Sequence, residues 1–359
     1  VFIERMPNKR GYFYTDTFED EVDFIEEVGL AEVYDLTEPY SHSFIANGII
    51  AHNCGEVPLL PYESCNLGSI NLAKVVEGGR MNWKKLAKLV NIGVEFLDNV
   101  IDANKYPLRE IEKMTKGNRK IGLGVMGFAE ALIKLRIPYA SRRAVEFAEK
   151  LMRFISEQAR KRSEELGEEK GSFPNFDQSV FADKYKAMRN ATVTSIAPTG
   201  SISIIAGTTS GIEPIFAVVY LREILEGMRL VEINQLFENI AIEREFYSEE
   251  LMEKVAKYGI VQGIEEIPED VKELFKTALE ISPEQHVRIQ AAFQKYVDNA
   301  VAKTVNLPYH ATIEDVRKVF WLAYKLKCKG ITVYRYGSKE EQVLYLGTEK
   351  TCRMETCPL

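Results

Sequence analysis

Leu86, Leu89, Val90, Gly93, Val94, Leu97, Val100 and Ile101 recur at three- and four-residue steps, the period of one buried face of an α-helix. The same stripe returns over 144–159, with Ala148, Leu151, Met152 and Ile155, and over 283–301, with Ile289, Phe293, Tyr296 and Ala300. Thr312-Ile313-Glu314-Asp315 has the form of a capping box and predicts a fourth helix running to about Lys327. Short β-branched runs lie between these stripes. Ala191–Ile196 leads into Pro198-Thr199-Gly200, Ile215–Tyr220 follows Glu213-Pro214, and Gly330–Tyr334 follows the last helix. Helices alternating with buried-type strands predict an α/β fold with largely parallel strands. Residues 1–53 differ: apolar and acidic residues alternate, and two apolar runs flank Asn47-Gly48, a strong hairpin signal. This stretch reads as a small β module.

Composition narrows the classes. Lys+Arg number 46 against 53 Asp+Glu, a net charge of −7, which argues against a nucleic-acid backbone as the main partner. No apolar run of about 18 residues is present to span a membrane. The opening Val1-Phe2-Ile3-Glu4-Arg5 lacks both a signal-peptide pattern and an initiator Met, so the chain is expected to be a piece of something longer. Five cysteines do not make a disulfide-stapled secreted scaffold. Their clustering suggests redox chemistry, catalysis or metal binding in a cytoplasmic protein.

The chemistry-bearing residues fall into a few strings. Asp35 and His42 precede His52-Asn53-Cys54. An Asn amide can attack its own carbonyl and break the following peptide bond, a neighbouring His can protonate the departing amide, and a following thiol can accept an acyl group. Cys54-Gly55-Glu56 then begins a Pro- and Gly-bounded loop that ends at Glu63-Ser64-Cys65-Asn66-Leu67-Gly68-Ser69. Two cysteines eleven residues apart without a nearby His are poor zinc spacing, so no metal site is expected. A thiol two residues from a carboxylate suits hydrogen-atom and proton transfer at one substrate carbon. Ala197-Pro198-Thr199-Gly200-Ser201-Ile202 places backbone amides and hydroxyls at a helix start, which favours an anion. Gly122-Leu123-Gly124-Val125-Met126-Gly127 matches the dinucleotide fingerprint, but polar Lys116–Lys120 stands where that motif needs a hydrophobic strand. It is read as structural. The bland reading also holds for His286 and His310 (surface or capping), Glu265-Glu266 (a solvated face), Trp83 and Trp321 (core) and Cys328 (a small buried residue).

Two resemblances follow from these strings. Residues 1–53 resemble the C-terminal splicing region of an intein, which implies cyclisation at Asn53, assistance by His52, Cys54 as first extein residue, and Asp35 and His42 in support. The intein start is absent, so cleavage at Asn53–Cys54 is conceivable and splicing by this chain alone is not. Residues 54–359 resemble the C-terminal part of ribonucleotide reductases. That resemblance implies Cys54 as the thiyl-radical residue, Glu56 as base for the ribose 3′ hydroxyl, and Cys65 as one of the reducing pair. It also implies that Thr199, Gly200, Ser201 and Ile202 hold the substrate phosphates. The family carries an Asn two residues before the radical Cys, where His52 stands here; splicing would bring the missing Asn into place.

The implied architecture is part of a ten-stranded α/β barrel (54–345), preceded by a small β piece of an intein fold (1–53) and followed by a Cys-containing tail (346–359). Cys352 and Cys357 in that tail fit either a relay from thioredoxin or glutaredoxin or the first half of a zinc ribbon. Arg335, between Tyr334 and Tyr336, occupies the second position of the adjacent tyrosine pair found in reductases driven by a separate radical subunit. The chain thus resembles the adenosylcobalamin-dependent class, with a ribonucleoside di- or triphosphate as substrate, the missing N-terminal half as partner, and a homodimer compatible. The alternatives are a class I large subunit, a splicing module with unrelated cargo, and an NAD-linked dehydrogenase built on Gly122–Gly127.

Overall fold

A computed structural model of the chain describes residues 43–46, 49–52, 56–223, 229–338 and 344–346. Two compact units are present, Val1–Gly55 and Glu56–Leu359. In the first, β1 (Ser43–Ala46) and β2 (Ile49–His52) pair antiparallel, with Ala46 opposite Ile49 and Ser43 opposite His52. This is the hairpin that Asn47-Gly48 predicts.

The second unit opens with β3 (Asn66–Asn71), the two-residue strands β4 (Val76–Glu77) and β5 (Arg80–Met81), then α1 (Trp83–Ala103), α2 (Arg109–Asn118) and β6 (Ile121–Met126). It continues through α3 (Phe128–Lys134), α4 (Arg142–Lys170), α5 (Gly200–Ala206), β7 (Val219–Glu223) and β8 (Arg229–Ile233). The last elements are α6 (Gln235–Glu243), α7 (Glu249–Tyr258), α8 (Glu269–Leu274), α9 (Pro283–Gln294), β9 (Thr304–Leu307), α10 (Ile313–Lys325), β10 (Thr332–Arg335) and β11 (Leu344–Leu346).

The central feature is a parallel arc. β3 runs beside β6 from Asn66↔Ile121 to Asn71↔Met126. The extended segment 192–196 joins β6 through Leu123↔Thr194 and reaches the next track through Ile196↔Val301. That track leads into β9, which pairs in parallel with β10. Among the described residues five parallel tracks therefore lie in chain order, with helices between successive tracks. The arc is open: among the described residues no pairing joins β3 to β10, and no closed barrel forms.

Helix α1 arises where its stripe predicts. Asn82 caps it by accepting from the Lys85 amide, and Leu86, Val90, Val94, Leu97 and Ile101 are buried on the face toward α4, β3 and β6. Burying each such side chain contributes roughly 1.5–3 kcal/mol, an upper range for area removed from water. The box at α10 is present in full, Thr312 accepting from the Asp315 amide while the Asp315 carboxylate accepts from the Thr312 amide.

Tertiary contacts redraw other expectations. Helix α9 stops at Gln294 instead of running to 301, because the Asn299 and Ala302 amides donate to Thr194 and Ile196 carbonyls in the arc. Ile215–Tyr220 is not a parallel strand. Ile215 and Val218 pack into a second core with α6, α7 and α8, and β7 pairs antiparallel with β8 and β11. Trp83 does pack on the main core, edge-on to Phe154, but Trp321 is 58% exposed and stacks on Tyr324. His310 and Glu265-Glu266 lie at the surface as expected. His286 is fully buried, contrary to the surface or capping reading, because α9 presents it to the core between Lys303 and the Ala278 carbonyl.

Gly122 and Gly124 lie inside β6, whose six residues are all buried, and not in a phosphate-binding turn. A Cβ at Gly122 would sit 2.8 Å from the Ser195 Cβ, and one at Gly124 would fall on the Ser195 carbonyl oxygen. The glycines let the neighbouring strand approach, and Gly127, at φ 71°, caps α3 in the left-handed region.

Cys328 packs beneath α10 with Val316, Val319 and Ile331. Burial pushes its thiol up to about 12 from an ordinary 9.0. The native thiol keeps its proton where the unfolded thiol loses it, so stability is present below pH 9 and declines as pH rises from 9 toward 12. The greatest slope is about 1.4 kcal/mol per pH unit. Urea midpoints measured across that range should show the decline in the parent and a flatter curve in Cys328→Ala; identical curves would assign the alkaline loss to other groups.

Candidate functional site

The loop from Glu56 to Cys65 is held at both ends by the arc and its turns. At one end, the Glu56 carbonyl oxygen accepts from the Ala300 amide at 2.8 Å and from Ser195 Oγ at 2.8 Å. Glu56 thus lies across two adjacent parallel tracks, and its side chain is buried, the residue being 5% exposed. The main chain thus places this carboxylate beside the two tracks.

At the other end, Glu63 fixes the approach to Cys65. Its Oε1 accepts from Asn118 Nδ2 at 2.7 Å and its Oε2 from Lys120 Nζ at 2.6 Å and the Leu60 amide at 2.9 Å. Ser64 Oγ meets Thr115 Oγ1 at 2.8 Å. Cys65 follows as a half-buried thiol immediately before β3. The next residue, Asn66, has its Oδ1 buried without a hydrogen-bond partner among the described residues.

The 118–120 turn that holds Glu63 is itself fixed by a buried charge network. Asp98, fully buried on α1, accepts from Arg119 Nε at 2.9 Å, Asn190 Nδ2 at 3.0 Å and Arg189 Nε at 3.0 Å. Arg119, at φ 49°, also grips Asp102 through both terminal nitrogens at 2.8 Å, and that guanidinium holds the Asp102 carboxyl below its ordinary range.

The second part of the site begins where the 192–196 track ends. Thr199 is buried and left-handed, φ 54°, a conformation a β-branched residue adopts only when its surroundings impose it. Its Oγ1 accepts from the Gly211 amide at 2.7 Å and so does not cap α5. The first-turn N–H groups of a helix have no acceptor within the helix, and here no cap side chain supplies one. Gly200, Ser201 and Ile202 are exposed at this start. The 206–213 loop that supports it is tied to α3: Glu130 accepts from the Thr209 amide and hydroxyl at 2.7 and 2.6 Å, and the Gly127 amide donates to the Thr209 carbonyl.

Of the residues singled out in the sequence, Glu56, Cys65 and Thr199–Ile202 fall in this arrangement, and His52 ends β2 in the other unit. Asp35, His42, Asn53, Cys54, Cys352 and Cys357 lie outside the described residues. The supports Ser195, Ala300, Lys120, Thr115 and Asp98 carry no sequence signal, being ordinary residues whose roles depend on distant partners. Among the described residues no group of His, Cys, Asp and Glu converges to hold a metal ion, and no helix is long and apolar enough to cross a membrane.

Parallel tracks in chain order, returned by helices and bordered by a loop bearing a carboxylate and a thiol, define an open α/β arc. The sequence profile described as ribonucleotide reductase, barrel domain, matches residues 41–334, and the chain belongs to that family. It is 52% identical over 297 residues to a vitamin B12-dependent ribonucleoside-diphosphate reductase of Mycobacterium tuberculosis, covering 83% of this chain and 42% of that protein. A protein of the same description from Thermoplasma acidophilum is 52% identical over 303 residues, covering 84% of this chain and 39% of its own length. The chain thus spans about two fifths of these relatives. Among solved structures, the Actinobacillus ureae class Id ribonucleotide reductase alpha subunit superposes with a TM-score of 0.65 at 25% identity, over 79% of this chain and 52% of that one.

Proposed function

We propose that this chain carries the reacting part of an enzyme that reduces ribonucleoside diphosphates to deoxyribonucleotides by thiyl-radical chemistry. The observation that supports this best is the shared track beneath Glu56 and Thr199. Ser195, which holds the Glu56 carbonyl, is four residues before Thr199, a reach of at most about 14 Å along an extended chain. A ribose at Glu56 with its diphosphate at the start of α5 fits such a span.

In this reading Cys54, as a thiyl radical, abstracts the 3′ hydrogen atom, Glu56 takes the 3′ hydroxyl proton, the 2′ hydroxyl leaves as water with a proton from the reducing dithiol, and Cys54 finally returns the hydrogen atom to the 3′ carbon. Cys65 and a second thiol outside this chain supply two electrons and become a disulfide. Phosphate oxygens accept from the first-turn amides of α5 and from Ser201. Thioredoxin or glutaredoxin restores the dithiol, through Cys352 and Cys357, in the cytoplasm. The domain limits 1–53, 54–345 and 346–359 follow the same reading, as does a homodimer.

The cofactor is adenosylcobalamin, which supplies the radical that reaches Cys54. Support comes from the 52% identity to proteins named for vitamin B12, against 25% to a class Id subunit. The described residues offer no assignable corrin site. Both ring nitrogens of His286 are engaged, and His310 is an exposed turn residue. The splicing reading of residues 1–53, with Asp35, His42, His52 and Asn53 acting on the Asn53–Cys54 bond, rests on their resemblance to the C-terminal splicing region of an intein.

The test joins this chain to the N-terminal segment its relatives carry and assays a ribonucleoside diphosphate with a dithiol, with and without adenosylcobalamin. Deoxynucleotide should form only with the cofactor. Turnover without it, dependent on a metal-containing second subunit, would move the enzyme to class I.

A further inference from the structure

Lys303 stands between the arc and the loop that supports Thr199, and its ammonium is wholly buried. The three protons of that group meet three acceptors: Glu213 Oε2 at 2.7 Å, His286 Nδ1 at 2.9 Å and the Thr304 carbonyl at 2.9 Å. Because His286 Nδ1 accepts, the ring proton lies on Nε2 and is donated to the Ala278 carbonyl at 2.9 Å. The imidazole is therefore held neutral, and desolvation with the nearby Lys303 charge holds its pKa well below the ordinary value.

The consequence lies at the next residues along the chain. Glu213 Oε1 also accepts from the Thr304 amide at 2.6 Å, which clamps Glu213 to the start of β9. The adjacent Ile212 carbonyl accepts from Tyr139 Oη at 2.7 Å, and Tyr139 itself lies against the His286 ring. Gly211, at φ 44°, donates its amide to Thr199 Oγ1. Three consecutive residues are thus pinned, and the last link ends on Thr199, which is held in a left-handed conformation unfavourable to a β-branched residue. A buried ammonium is retained only where its geometry is fully met, and here the geometry terminates on one residue of the loop at α5.

We infer that Lys303, with Glu213 and His286, is a positioning set that fixes the Thr199–Ile202 loop for the substrate's phosphates. It touches no substrate atom and acts through Glu213, Gly211 and the Thr199 hydroxyl. The inference rests on the phosphate role proposed above for that loop.

The experiment uses the joined, full-length reductase and measures KM and kcat for a ribonucleoside diphosphate, with the inhibition constant of inorganic pyrophosphate. Lys303→Met should raise KM and the pyrophosphate constant about tenfold while kcat changes less than twofold, the pattern of lost binding and not of lost chemistry. Glu213→Gln keeps the acceptor for Thr304 and should show a smaller change in the same direction. It decides the question if Lys303→Met does not fold. Thr199→Ala should raise KM by itself, and adding Lys303→Met to it should change KM little further, because both act through one hydroxyl. If Thr199→Ala and Ser201→Ala leave both constants unaltered, the phosphate reading of the loop fails and this inference with it. If they raise KM but folded Lys303→Met or Glu213→Gln enzyme keeps the parent KM, the positioning role alone is overturned. A drop in kcat at constant KM would also overturn it.

Discussion

Replacing Glu56 by Gln should lower kcat of the full-length reductase by about 10²–10⁴-fold, the contribution of a positioned general base. The fold should survive unchanged. The bonds that seat Glu56, from the Ala300 amide and Ser195 Oγ, end on its main-chain carbonyl, which Gln retains. Steady-state turnover beside far-UV circular dichroism would check both halves of the expectation. A folded Glu56→Gln enzyme with more than a tenth of the parent kcat would remove Glu56 from proton transfer. The prediction is sharp because the carboxylate is buried at 5% exposure, where water is a poor substitute for it.

Asp98→Ala should cost about 3 kcal/mol of stability, the lower part of the range for removing one partner of a buried ion pair. The variant leaves Arg189, Asn190 and one edge of Arg119 without the acceptor they share. Asp102 still accepts from Arg119, which keeps the loss from being larger. Asp98→Asn, which keeps one acceptor oxygen, should cost less. Urea unfolding measures the difference, and a loss below about 1 kcal/mol for Asp98→Ala would show that the network is not a significant stabiliser. The effect reaches the site through the 118–120 turn, since Asn118 and Lys120 hold Glu63 two residues before Cys65.

Lys303, Asp98 and Lys120 show one design. Each is a charged group met by several acceptors or donors from segments far apart in the chain, and each braces a loop bearing a candidate reacting or binding group. The residues at the site are in turn seated by main-chain contacts, the Glu56 carbonyl by Ala300 and Ser195 and the Thr199 hydroxyl by the Gly211 amide.

Features set by neighbours within a turn or two were legible before any fold was known. The α1 stripe, the Thr312–Asp315 box, the Asn47-Gly48 hairpin and the unsuitability of Gly122–Gly127 for a dinucleotide all depend on local spacing and local sterics. The strings at Cys54–Cys65 and Thr199–Ile202 were legible for the same reason, as runs of residue types suited to one chemistry. Other features depend on which segments meet. Ser195 seats Glu56 from 139 residues away, Asn299 leaves the helical pattern to join Thr194, and His286 turns from a surface histidine into a buried acceptor for Lys303. Hydrophobic period records which face of an element is buried but not what it is buried against. The partner of a buried polar group is chosen by the packing of the parallel tracks, and only there do Lys303, Asp98 and Ser195 acquire their roles.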